Sequence, residues 1–182
     1  MKTLKLLLII TLALSFLTAC GGNQEALTAD SPENSMLQNV TAAVSGDELT
    51  ISFDFEKQSG WASNQFAVWI EDADGGYLQT LYATRYTANG GYKSREEALP
   101  EWVNRSGLTE KTQSEIDVIS SATPSSGSLN YTWDLTGADE GEYRFFVEGN
   151  LRWGNRVMFS GTINVGDDGN RSAMAETEYI YQ

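Results

Sequence analysis

The chain has no histidine and one cysteine among 182 residues, and these two shortages exclude more chemistry than any motif adds. Without imidazole there is no Ser-His-Asp triad, no histidine general acid or base and little scope for zinc. A lone thiol forms no disulfide within its own chain. Positive charge is scarce too: 12 Lys and Arg stand against 25 Asp and Glu, a formal net charge of −13. Two of those lysines fall in the first 19 residues, which carry no acidic group, so residues 20–182 hold 10 basic and 25 acidic side chains, net −15. That balance argues against nucleic acid and against docking on anionic lipid headgroups, and it suits a solvated envelope protein. Long apolar runs are absent except for Leu6–Leu17, too short to span a bilayer as a stable helix. Any redox or hydrolytic role therefore needs a cofactor or carboxylates.

What is present begins with that run. Lys2 and Lys5 precede it, and Leu17-Thr18-Ala19-Cys20 ends it in a stretch that resembles a bacterial lipobox. By that resemblance residues 1–19 are a lipoprotein signal peptide, and Cys20 becomes the acylated first residue with diacylglyceryl on its sulfur. Two or more acyl chains give a stable membrane anchor where one is marginal. Residues 20–35 are polar and without apolar period, as expected of a tether, and residues 36–182 suffice for one domain with a real core.

From Met36 the pattern is β. Leu37, Val40, Ala42 and Val44 suggest a first strand, Ser45-Gly46-Asp47 a turn, and Leu49, Ile51, Phe53 and Phe55 alternate strictly with polar residues. Phe66–Ile70 is apolar throughout, the signature of a strand covered on both faces. Asp72–Gly76 is a turn, with Tyr77–Tyr82 as its hairpin partner. Leu129–Leu135 and Tyr143–Val147 alternate again, and Val157–Val165 is a strand with Gly161 as a candidate bulge. Tyr179 and Tyr181 form either a last edge strand or a tail. Seven to eight short strands predict an all-β, antiparallel, immunoglobulin-like sandwich with Phe53, Phe55, Val68, Ile70, Trp133, Phe145 and Phe159 in its core.

One long connection, about 84–127, interrupts the strands, and such a length inside a compact domain is usually functional or disordered. Ser94-Arg95-Glu96-Glu97 and Thr112-Gln113-Ser114-Glu115 both have capping-box spacing, so the connection is expected to be partly helical. Pro100 either limits the first helix to a turn or starts a second one carrying Trp102 and Val103. At the exit lies Asp117-Val118-Ile119-Ser120-Ser121-Ala122-Thr123-Pro124. It resembles the acceptor motif for covalent flavin mononucleotide (FMN): Asp, two free positions, Ser or Thr, usually Gly, then Ala-Thr. A dedicated flavin transferase esterifies the last Thr of that motif with the cofactor's phosphate. Asp117, Ser120, Ala122 and Thr123 match, and Ser121 replaces the Gly, which matters if positive φ is required there.

The segments Phe66–Tyr86, Leu99–Val103, Asp117–Leu135 and Glu140–Asn150 together resemble the bacterial family called domain of unknown function 2271. Its members are predicted exported proteins, encoded near flavin transferases and membrane proteins of extracytoplasmic electron transfer. Where a Glu-His-Gly-like stretch is expected, this chain has Leu151-Arg152-Trp153-Gly154-Asn155. The resemblance implies a lipid-anchored electron carrier with FMN on Thr123, modified by a partner and not itself a turnover enzyme. Asp117 would contact the transferase or orient the acceptor hydroxyl, and Ala122 would leave room beside it. Trp102 is the candidate for stacking on the flavin, with Lys93, Arg95 or Arg105 as phosphate or ring partners. The alternative is a cofactor-free immunoglobulin-like module binding a protein or glycan at the envelope.

Weaker constellations compete. Asp72, Asp74 and Gly75 start like a calcium loop, but the twelfth position is Ala83, so a hairpin turn is preferred. Ser120 or Ser121 with Lys111 lacks the spacing of a Ser–Lys hydrolase. Trp61 and Trp153 are either a sugar platform or rim packing.

Overall fold

The computed structural model describes residues 35–59, 64–151, 156–166 and 170–176. Cys20, Trp61, Trp153, Tyr179 and Tyr181, with the expectations attached to them, lie outside the described residues, as do the signal peptide and nearly all of the tether. Nine strands are described: β1 (Leu37–Ser45), β2 (Glu48–Phe55), β3 (Asn64–Asp72), β4 (Tyr77–Thr84), β5 (Ser120–Ser121), β6 (Gly127–Asp134), β7 (Gly141–Leu151), β8 (Arg156–Val165) and β9 (Arg171–Glu176). They form a three-stranded sheet in the order β1-β2-β6 and a six-stranded sheet in the order β5-β4-β3-β7-β8-β9. The fold is an all-β, two-sheet sandwich.

Period-two patterning explains both faces. Leu49, Ile51, Phe53 and Phe55 of β2 are buried while Asp54 between them is exposed. Across from them, Phe66, Val68 and Ile70 of β3 and Phe145 and Val147 of β7 complete the inter-sheet core. All seven expected core residues belong to it. The tyrosine Tyr143, at the start of β7, donates its hydroxyl to the Asp139 carbonyl at 2.7 Å, a corner found in immunoglobulin-type sandwiches. At the β3–β4 turn, one Asp72 carboxylate oxygen accepts from the amides of Asp74 and Gly76 at 3.0 and 2.7 Å. That residue holds the turn from within.

β3 is buried along nearly its whole length because its second face is covered as well. The connection between β4 and β6 folds over it as α1 (Arg85–Ala88), α2 (Pro100–Arg105) and α3 (Gln113–Ile119), with 3-10 turns at Gly91–Lys93 and Leu108–Glu110. Ala67, Trp69, Leu99, Trp102, Leu108, Phe146 and Met158 make a second apolar cluster beneath these helices.

Three expectations need correction, one alternative is decided and one strand is added. Ser94 caps no helix: its hydroxyl donates to the Gly91 carbonyl, and Glu97 pairs with Arg95. Proline disfavours the α conformation in the residue before it, Leu99 stands at φ +55°, and of the two readings of Pro100 the structure has the second, a helix that starts there and carries Trp102 and Val103. Gly161 is not a bulge, since the β7–β8 register runs through it without a shift. A Cβ there would collide with Phe145 and the Met174 carbonyl, so the glycine serves close approach. The sandwich is not wholly antiparallel, because β5 pairs with β4 in parallel after the helical crossover. Finally, the strand following β8 is β9, where polar and apolar residues alternate too weakly to signal a strand.

Candidate functional site

The Asp117–Thr123 motif runs from the end of α3 through β5 into the loop before β6. A complete capping box starts α3: the Thr112 hydroxyl accepts from the Glu115 amide at 3.4 Å, and the Glu115 carboxylate accepts from the Thr112 amide at 2.8 Å. Asp117 is exposed on this helix and accepts from the Gln113 side-chain amide at 2.9 Å. Beside it, Val118 is 86% exposed, the most solvent-exposed large apolar side chain described.

β5 is only two residues long, Ser120 beside Ala83 and Ser121 beside Thr84. The Ser120 hydroxyl is buried with no hydrogen-bond partner. Ser121 is exposed and lies in this extended strand, outside the set of residues with positive φ. Glycine's special freedom is therefore not needed at that position, and serine occupies it without strain.

The next two residues carry the hydrogen bonds that fix the loop. The Ala122 carbonyl accepts from the Tyr82 hydroxyl at 2.9 Å. Thr123 is half-buried, and its hydroxyl donates to the Asn64 carbonyl at 3.4 Å, long for an O–H···O bond. Farther on, the Lys57 amide donates to the Ser126 hydroxyl at 3.0 Å, and Gly127, at φ +145°, opens β6. Asp117 has no hydrogen bond to Thr123, so within this chain the motif's acid does not orient its hydroxyl.

Tyr82 connects this loop to the core. Its ring stacks on Phe66 at 4.7 Å between centroids and lies 4.9 Å from Tyr131. Burial pushes the Tyr82 phenol up to about 12 and raises Tyr131 as well. Tyr82 therefore stays a hydrogen-bond donor at neutral pH. Sequence reasoning missed both Tyr82 and Asn64; the alternation of β4 marks Tyr82 as a core residue, and nothing marks its hydroxyl.

The expected flavin partners sit elsewhere. Trp102 is fully buried, its indole N–H donating to the Thr80 hydroxyl at 2.8 Å and its amide to Glu148 at 2.9 Å. No ring face is open there for stacking. Arg95 is buried, bonded to Asn150 and paired with Glu97. Arg105 is held by Glu71 and Glu101, and its charge is favoured further by both carboxylates. Lys93 is exposed beside the Tyr92 ring, and neither Lys93 nor Arg105 hydrogen-bonds to residues 117–123.

Two shallow grooves mark the helical connection. One, of about 290 Å³, is lined by Tyr92, Pro100, Val103 and Thr109 among others; the second, of about 440 Å³, by Lys111, Ser114, Glu115, Val118 and Ile119. Thr123 lines neither. Among the described residues no cluster of three or more His, Cys, Asp or Glu could hold a metal ion. No described helix is long and apolar enough to cross a membrane.

The family model described as "Predicted periplasmic protein (DUF2271)" matches residues 47–182. The chain belongs to this family. The matched span runs from the β1–β2 turn through both sheets and includes the Asp117–Thr123 motif. That membership agrees with an envelope location, and the DUF2271 description goes no further than that. Neither the curated proteins nor the solved structures contain a match to the chain.

Proposed function

We propose that this DUF2271 protein is a lipid-anchored electron carrier of the cell envelope that receives FMN in phosphoester linkage on Thr123. The observation that carries the reading is the backbone of the motif: Ser121, its one departure, is extended and exposed, so the departure imposes no conformational penalty. The surroundings fit the group. Ala122 before the acceptor and Ser125 two residues after it are exposed, Pro124 between is half-buried, and the acceptor hydroxyl is restrained by one long bond only. When bound, FMN would supply one- and two-electron transfer, and the ester would prevent its loss from the envelope. Retention by a covalent bond needs no deep pocket, in accord with the surface position of the loop. Asp117 and Val118, both exposed just before the acceptor, are available to the transferase rather than to Thr123. Cys20 provides the membrane anchor, and membrane electron-transfer proteins are the redox partners.

The test is the intact mass of the exported protein co-expressed with its flavin transferase. A gain of one FMN less water in the parent, absent in Thr123→Ala, supports the reading. No gain, with the transferase active on a control acceptor, overturns it. A second reading then leads: a cofactor-free immunoglobulin-like interaction module. The Tyr143 corner and the grooved helical surface favour it. The anchor is tested separately, since Cys20→Ser should release the protein from the membrane fraction.

A further inference from the structure

We infer that Tyr82 is a latch on the acceptor loop, so that Thr123 is modified only from an opened state of residues 120–126; this rests on the reading of Thr123 as the FMN acceptor. The closed state is held by few bonds. β5 contributes two residues of parallel pairing, Tyr82 holds the Ala122 carbonyl at 2.9 Å, Thr123 reaches the Asn64 carbonyl at 3.4 Å, and Ser126 accepts from the Lys57 amide at 3.0 Å. Tyr82 itself does not move easily, because its ring is packed between Phe66 and Tyr131. The loop ends at Gly127, where φ is +145° and the chain enters the β2–β6 ladder opposite Phe55, so the segment that must open is bounded by β5 and β6.

The chemistry of the ester requires the opening. The Thr123 oxygen attacks the phosphorus of an activated flavin whose phosphate is joined to a nucleotide through a pyrophosphate. The new O–P bond forms, the P–O–P bond breaks, the nucleoside monophosphate leaves, and the hydroxyl proton passes to a base of the transferase. In the closed arrangement the Thr123 hydroxyl is turned to the Asn64 carbonyl, and that bond must break before the oxygen can face phosphorus in line. Afterwards the esterified oxygen has no proton left to donate, and it would confront the Asn64 carbonyl as acceptor against acceptor beside an anionic phosphodiester. The product therefore cannot return to the closed arrangement at Thr123.

A transferase that engages only the open state has an apparent KM raised by the inverse of the open fraction, with kcat unaffected. Removing one neutral hydrogen bond from the closed state enlarges the open fraction about two- to tenfold. Tyr82→Phe removes that bond alone, because the ring contacts with Phe66 and Tyr131 remain. The experiment follows ester formation by mass at varied acceptor concentration, using the exported chain, its transferase and the activated flavin. Tyr82→Phe should lower the KM for the acceptor about two- to tenfold at unchanged kcat. Tyr143→Phe is the control, since it removes a comparable hydroxyl-to-carbonyl bond at the opposite corner of the sandwich, and it should leave KM unchanged. An unchanged or raised KM in Tyr82→Phe, or an equal fall in Tyr143→Phe, overturns the latch while the FMN reading stands. A parent that gains no mass overturns both.

Discussion

The two faces of β3 and β7 are both buried, yet they are built from different materials. Toward the opposite sheet point Phe66, Val68, Ile70, Phe145 and Val147, without a polar group among them. Toward the helical connection point Trp69 and Phe146, together with Gln65, Glu71, Glu148 and Asn150, all buried. The polar groups of this second face are bonded one by one. Gln65 accepts from the hydroxyls of Thr84 and Thr87 at 2.7 and 2.9 Å. Glu71 accepts from the Trp69 indole at 2.7 Å and from Arg105 at 2.9 Å. Glu148 accepts from the Trp102 amide at 2.9 Å and from Arg156 at 2.7 Å.

Helix length explains the contrast. The covering helices have four, six and seven residues, so most of their amides and carbonyls lie in a first or last turn without an intrahelical partner. A sheet face of pure hydrocarbon would leave those groups buried and unsatisfied. Carboxylates and amides on the sheet supply what the helices lack, and Glu148 takes the first amides of α2 in this way. The inner face is held by volume, the outer face by pairing.

That distinction predicts opposite responses to double substitution, and the effects are large. Phe145→Ala should cost about 3–5 kcal/mol in urea unfolding through the cavity it leaves. Glu148→Ala should cost about the same, because it removes the buried partner of Arg156, leaving that charge only the longer pair with half-exposed Glu101 at 3.4 Å, and takes the acceptor from the α2 amides. Glu148→Leu with Arg156→Met should regain part of that loss, since an apolar pair can replace a buried ion pair. Full recovery is not expected, as the α2 amides lose their acceptor. A double variant no more stable than Glu148→Ala would erase the comparison.

Gly161→Ala sharpens it from the other side, with a middle-sized effect. The added methyl would run into the Phe145 ring and the Met174 carbonyl, so overpacking should lower stability by about 1–3 kcal/mol. Combining it with Phe145→Leu should relieve the collision with the ring, leaving only the contact with the β9 backbone. If the pair is simply additive in urea midpoints, volume is not what limits the inner face.

The same contrast governs what the sequence made legible. The inner face follows period two, so Leu49 to Phe55, Trp133, Phe145 and Phe159 could be read from alternation. The continuous burial of Phe66–Ile70 likewise announced a covering layer. The outer face depends on which helix end meets which carboxylate, and no local pattern encodes that. Thus Arg95, Trp102 and Arg105 looked available for a ligand and are instead part of the packing. The capping spacing at Ser94 failed because Leu99 must precede a proline, whereas the identical spacing at Thr112 has no such obstacle and forms. In the acceptor loop the motif was visible as residues, but its hydrogen-bond partners Tyr82 and Asn64 come from distant strands.

The smallest effect tests how far the covering layer is independent of the sandwich. α3 contains no fully buried residue and touches the second cluster only through Ile116 and Ile119, so its capping box carries an unusual share of its stability. Thr112→Ala removes the side-chain acceptor for the Glu115 amide and should cost about 1 kcal/mol. Because the helix is anchored so lightly, that cost should fall on local opening rather than on the global transition. Hydrogen exchange within residues 113–119 should quicken about fivefold, while β3 and β7 amides keep their protection. Uniform loss of protection across both sheets would mean that the helical layer and the sandwich unfold as one unit. Pairing on the outer face would then be as cooperative as packing on the inner one.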